Sequence, residues 1–172
     1  TALVGVANLK SSHGFVNSLG FDLVGPLTVL VIPPTAPRRA RSFEVGTAGE
    51  MTGWLQETGR SALPESGARR VWDADELSWR LADPAHDYSV LFSDDVMAVV
   101  HATSYLGVRV AVIVKVFVGG SAARVDIVPL ATAACSALRA PLALYGGRNP
   151  RLRFSGISVP TRIRPSPLNL IV

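Results

Sequence analysis

The chain of 172 residues has one cysteine, two lysines and no apolar run of the length that a membrane demands. A lone thiol, Cys135, can form no internal disulfide, which points to a reducing, cytoplasmic compartment. It stands in ATAACSAL, an apolar, alanine-rich setting that suits a small core residue better than a nucleophile. No uninterrupted apolar stretch approaches the roughly 18–20 residues of a spanning helix, so no membrane partner is expected. The longest runs, such as VAVIVKVFV at 110–118, are strand-length and rich in β-branched residues, as a buried sheet requires. The basic residues are nearly all arginine, fifteen against Lys10 and Lys115. They scatter in small groups at 38–41, 69–70 and 148–153 with no interleaved aromatics, so the net charge of +4 does not describe a nucleic-acid surface. The three histidines, His13, His86 and His101, lack cysteine or carboxylate partners at ligand spacing, so no metal is expected.

What is present is a composition for a packed core: 48% hydrophobic against 17% charged. The opening TALVGVAN reads as a strand, without initiator Met or signal peptide, so the chain is expected to be a portion of a longer protein. Asn8 closes that strand, Ser11 or Ser12 caps a short helix, and Gly20 sits where a helix end tolerates φ > 0. Residues 21–32 read as one extended run bent at Gly25–Pro26, and prolines 33, 34 and 37 end it. A weak helix at 51–58 and a polar loop at 60–70 follow. Asp73 is placed to cap a firmer helix carrying Leu77, Trp79 and Leu81, with Trp72 and Trp79 on one buried face. Strands at 88–92, 96–105 and 108–118, joined by tight turns at 93–95 and Gly107, make an antiparallel meander. A helix at 125–138, a strand at 141–145 and a proline-interrupted extended arm at 154–172 complete the pattern.

These residues resemble the GNAT N-acyltransferase superfamily. Asn8, Ser11, Phe15 and the closing Leu19-Gly20-Phe21 look like the fourth helix and sixth strand of that fold. WDADELSWRLADP, YSVLFSDDVMAVVHA and VRVAVIVKVFV resemble the second domain of tandem GNAT-like proteins, in which an arm similar to RIRPSPLNLIV closes the sheet. The implied fold class is α/β (α+β): a mixed, largely antiparallel sheet flanked by helices. The implied organisation is a C-terminal part of a first domain at 1–34, a linker with a weak helix at 35–70, and a second domain at 71–172.

The resemblance also implies chemistry. Family members transfer an acyl group from acetyl-CoA or another acyl-CoA to an amine, which needs a base, oxyanion donors and a cradle for the CoA pyrophosphate. That cradle is typically an Arg/Gln-x-x-Gly-x-Gly/Ala turn opening a helix, where backbone N–H groups and the helix dipole favour the anion. The equivalent place is VFVGGSAARVD, with Gly119, Gly120, Ser121 and a helix start, although it lacks the basic residue and the glycine spacing of that pattern. Asn8 is a second candidate for cofactor contact. Where many members carry a tyrosine that protonates the departing thiolate, this chain has Phe15, so Tyr105, Tyr145 and His13 are the catalytic candidates. No Walker loop, nucleophile elbow or HExxH occurs. The leading expectation is a C-terminal portion of a CoA-dependent acyltransferase acting on a small-molecule amine, without metal, and self-associating or pairing with a missing N-terminal half. The second is a catalytically silent GNAT-like module for ligand binding or dimerisation.

Overall fold

A computed structural model describes residues 5–35, 42–58, 74–119, 124–147, 149–160, 164 and 168–171. The elements run β1 (Gly5–Asn8), α1 (Leu9–Leu19), β2 (Leu23–Pro26), β3 (Val29–Ile32), β4 (Glu44–Gly46), α2 (Ala48–Thr58), α3 (Ala74–Leu81), β5 (Tyr88–Ser93), β6 (Val96–Tyr105) and β7 (Val108–Val118). They continue β8 (Val125–Asp126), α4 (Ile127–Leu138), β9 (Ala143–Gly146), β10 (Leu152–Arg153), β11 (Ile157–Ser158) and β12 (Leu168–Ile171). The fold is mixed α+β, as expected, with a mostly antiparallel seven-stranded sheet ordered β11-β3-β9-β7-β6-β5-β4. Two further sheets are β1-β12-β2 and the short parallel pair β10-β8. By internal contacts the chain divides into one unit of Thr1–Leu30, Gly146–Arg148 and Ser158–Val172, and another of Val31–Tyr145 and Asn149–Ile157.

In the first unit, β12 lies antiparallel between β1 and β2, and α1 packs on β1 and β12. The extended arm was expected to close the sheet of the second domain, but its strand pairs with the opening of the chain. The N-cap of α1 is Asn8, not Ser11 or Ser12: Asn8 Oδ1 accepts from the Ser11 N–H at 2.9 Å, and Ser11 Oγ accepts from the Asn8 N–H at 3.1 Å. The last strand residue thus doubles as the cap, and Ser11 completes the reciprocal box. At the other end Gly20 adopts φ 70°, as expected, while the Phe15 carbonyl accepts from the N–H groups of Gly20 and Phe21. The Phe21 ring meets Phe15 edge-on at 5.4 Å, the apolar contact that accompanies such helix ends. Residues 21–32 are not one strand. Gly25 (φ 139°) and Pro26 end β2, and the chain continues as β3 in a different sheet.

In the second unit the meander β5-β6-β7 forms as read from the sequence, with β6 and β7 at the expected bounds. The β6–β7 turn carries Leu106 at φ 50° and Gly107 at φ 76°, the two left-handed positions of a tight hairpin. A bulge between Val99 and Val100 leaves Val114 as the extra residue on β7. Met97 and Val99 join Val90, Met51, Leu55 and Leu77 in a core under α2 and α3. Each fully buried side chain of this kind contributes about 1.5–3 kcal/mol. Trp79 does not share that face and is 75% exposed. The helix turns its Ala74–Leu77–Leu81 stripe inward, and two residues past Leu77 is about 200° around the axis. Trp72, the Asp73 cap and the loop at 60–70 lie outside the described residues.

Candidate functional site

The strongest expectation concerned the passage from β7 to α4. β7 and β9 run parallel, the crossover through α4 linking them, and pair at Ala111↔Ala143, Val112↔Leu144 and Ile113↔Tyr145. Beyond Ile113 the β7 edge is met by other groups. Asn149 Nδ2 donates to the Val116 carbonyl at 3.2 Å. Arg151 Nη1 donates to the Val118 carbonyl at 2.7 Å and Nη2 to the Gly119 carbonyl at 3.4 Å. Openings at the carboxyl ends of parallel strands are the usual ligand sites of such sheets. Here two side chains of the same unit occupy that edge.

Gly119 is buried, and its N–H donates to the Asp95 carbonyl at 2.8 Å. Both of its backbone groups are therefore engaged within the protein. Gly120 and Ser121 lie outside the described residues. The helix begins at Ile127, two residues later than the pattern predicts, because Val125 and Asp126 pair with Leu152 and Arg153 as β8 and β10. The Val125 N–H also donates to the Arg151 carbonyl at 2.9 Å.

This helix start changes the reading of the turn. Arg124, exposed just before β8, falls at the basic position of an Arg-x-x-Gly-x-Gly pattern, and the two glycine positions then fall on Ile127 and Pro129. The expectation that this stretch lacks the basic residue is corrected accordingly. Ile127 is fully buried in the core stripe of α4, with Leu130, Ala131, Ala134 and Cys135. Asp126 caps the helix, its Oδ1 accepting the Val128 N–H at 3.0 Å, and Pro129 has no N–H. A carboxylate thus stands where an anion would dock, one first-turn donor is taken and a second does not exist.

The catalytic candidates are dispersed. Tyr145, on β9, is buried and stacked on Phe154 with centroids 5.3 Å apart, and burial pushes its phenol up to about 12. Tyr105 ends β6 opposite Val108, five residues or about 17 Å along β7 from the partner of Tyr145, and on the other side of β7 from it. His13 is exposed on α1 of the first unit, with Asn17 Nδ2 at 3.0 Å from its Nδ1. The Asn8 side chain is held in the α1 cap. Burial also raises the Cys135 thiol, keeping it protonated as a core residue.

No family model matches the chain, and no curated protein matches it.

Two features were not singled out as a site from sequence. His86, Tyr88 and His101 form a three-ring cluster with centroids 5.3–5.5 Å apart. His86 Nδ1 lies 3.2 Å from Asp83 Oδ2. Burial holds His101 below the usual imidazole value, a backbone hydrogen bond at Ala102 offsets this in part, and the neighbouring His86 lowers it further. The second feature is a cleft of about 350 Å³ between β4, α2 and β5. Among the described residues no group of three or more His, Cys, Asp or Glu converges as a metal site, and no helix is long and apolar enough to cross a membrane.

Proposed function

We propose that this chain belongs to a GNAT-like protein and that its larger unit is a ligand-binding or assembly module that holds no acyl-CoA of its own. The architectural part of this reading is supported by the order β4-α2-α3-β5-β6-β7-β8-α4-β9. That order runs as an antiparallel meander into a parallel pair joined by a crossover helix, which agrees with the resemblance carried by the sequence. The first turn of α4 carries the functional part. Asp126 occupies the anion position, Pro129 removes a donor, and Ile127 puts a buried side chain where the family pattern has glycine. A pyrophosphate there would face a carboxylate instead of a row of free amides. Any acyl transfer by the protein then draws its cofactor contacts from outside this turn.

Calorimetric titration of the chain with CoA and acetyl-CoA to about 1 mM tests this, since it detects binding stronger than about 4 kcal/mol. The expected result is no saturable heat. Saturable binding would replace the reading with that of an acyl-CoA site in this unit.

A further inference from the structure

The cleft beside the edge strand β4 combines acidic and aromatic side chains. Residues Glu50, Gly53, Trp54 and Glu57 recur at i, i+3, i+4 and i+7, so one face of α2 forms one wall. Glu44 and Phe92, opposite one another in the β4–β5 register, form the facing wall. The helix start is fixed by a reciprocal cap: Glu50 Oε2 accepts from the Thr47 N–H at 2.6 Å and from Thr47 Oγ1 at 2.9 Å. Those hydrogen bonds hold the Glu50 carboxyl below the usual carboxylate range, so it is ionised. Gly46 makes room for Phe92, because a Cβ at that position would collide with the edge carbons Cε2 and Cδ2 of its ring.

The aromatic walls present carbon. Trp54 packs on the core and is partly exposed at the cleft, and its Nε1 is buried without an acceptor among the described residues, so what the indole offers the cleft is carbon. No basic side chain lines the cleft among the described residues. The cleft is open to solvent, and its volume has room for a small headgroup and not for a large ligand. Aromatic carbon with carboxylates around it disfavours anions and gives a neutral apolar molecule no use for the charge. A metal ion would need converging oxygens, which the described residues do not supply. A weakly hydrated organic cation of the quaternary ammonium type satisfies both features at once, since aromatic side chains at the lining attract it and it brings no N–H groups that require acceptors.

We propose that this cleft binds a quaternary ammonium group, held against Trp54 and Phe92 with Glu44, Glu50 and Glu57 supplying the counter-charge. The proposal names a ligand class for the binding module and rests on that reading. The two fail separately, because the CoA titration examines the α4 turn and the ammonium titration examines the cleft.

The test titrates the full chain with choline and, in parallel, with its neutral isostere 3,3-dimethylbutan-1-ol at constant ionic strength, read by calorimetry and tryptophan fluorescence. Choline is expected to bind saturably, and the isostere about tenfold more weakly or not at all. Glu57→Gln, at an exposed position, is expected to weaken choline about two- to fivefold. Gly53→Leu is expected to abolish binding while leaving the fold intact, because a Cβ at Gly53 meets nothing within 4 Å. Trp54 packs on the core, so Trp54→Phe, which keeps a ring, is preferred to truncation and should retain weakened binding. Absence of saturable choline binding, equal binding of the isostere, or unchanged binding by the Gly53→Leu protein would each overturn the proposal.

Discussion

Replacing Arg151 with methionine tests whether the carboxyl end of β7 is held by that side chain. The substitution keeps an apolar stem of similar reach and deletes the guanidinium. Two carbonyls lose a donor: Val118, bonded at 2.7 Å, and Gly119, at 3.4 Å. A charge-assisted hydrogen bond contributes about 1.5–3 kcal/mol, the longer contact adds little, and Arg151 is half-buried, so a loss of about 2 kcal/mol is expected. For a chain of this size that is about 4–8 °C in Tm, or a urea midpoint lowered by about 1 M. All three tryptophans, Trp54, Trp72 and Trp79, fall in the larger unit, so fluorescence follows that unit without interference from the other. Hydrogen exchange gives the local readout. The Gly119 amide, bonded to Asp95, and the Val125 amide, bonded to Arg151, should lose protection ahead of the meander. A midpoint shift below about 0.5 kcal/mol with unchanged exchange at Gly119 would refute the reasoning, since surface substitutions alone stay within that range. The variant should still fail to bind CoA, because the first turn of α4 is unaltered.

Three further outcomes follow from other parts of the fold. His101, held below the usual imidazole value by burial, takes up its proton more readily in the unfolded chain. Stability should therefore fall as pH drops below about 6.5 toward its folded value, and His101→Gln should flatten that slope in urea melts taken between pH 5 and 7. The lowered carboxyl of Asp83, bonded by the Ala85 N–H and His86, acts in a separate window, its contribution present above the ordinary aspartate value and lost in acid. Asn8→Ala removes the α1 cap and should cost about 1 kcal/mol, read by hydrogen exchange in α1 because the smaller unit contains no tryptophan. Gly46→Val drives a side chain into the Phe92 ring and should cost about 1–3 kcal/mol in fluorescence-monitored urea melts, with Phe92→Ala relieving part of that cost in the double variant.

Local physics made much of the fold legible. β6 and β7 are long β-branched runs bounded by two-residue turns, so their limits follow from pattern alone. Gly20 at a left-handed helix end follows in the same way. The misses have particular causes. β8 and β10 have two residues each and exist only through pairing with one another, which no periodicity announces. β1 pairs with β12 across most of the chain, a contact without a local signature. Trp79 was placed inward because two tryptophans seven apart share a helix face, but the smaller Ala74, Leu77 and Leu81 are the residues that α3 buries. The site was less legible than the fold. The glycine pair at 119–120 drew notice, whereas the informative residues were Arg124, Asp126, Ile127 and Pro129, whose meaning depends on where α4 starts. The cleft was not legible, because Glu44 and Phe92 meet the α2 face only through the β4–β5 register.

The most direct measurement of the central claim is CoA binding by the chain itself, compared with a variant that restores the missing donors. In the unaltered protein, the cap carboxylate, the buried Ile127 and the absent Pro129 N–H predict no saturable heat with CoA or acetyl-CoA. Asp126→Gly with Pro129→Gly, which removes the cap carboxylate, frees the Val128 N–H and supplies an N–H at position 129, should admit weak binding. Saturable, stoichiometric CoA binding by the unaltered chain would contradict the account.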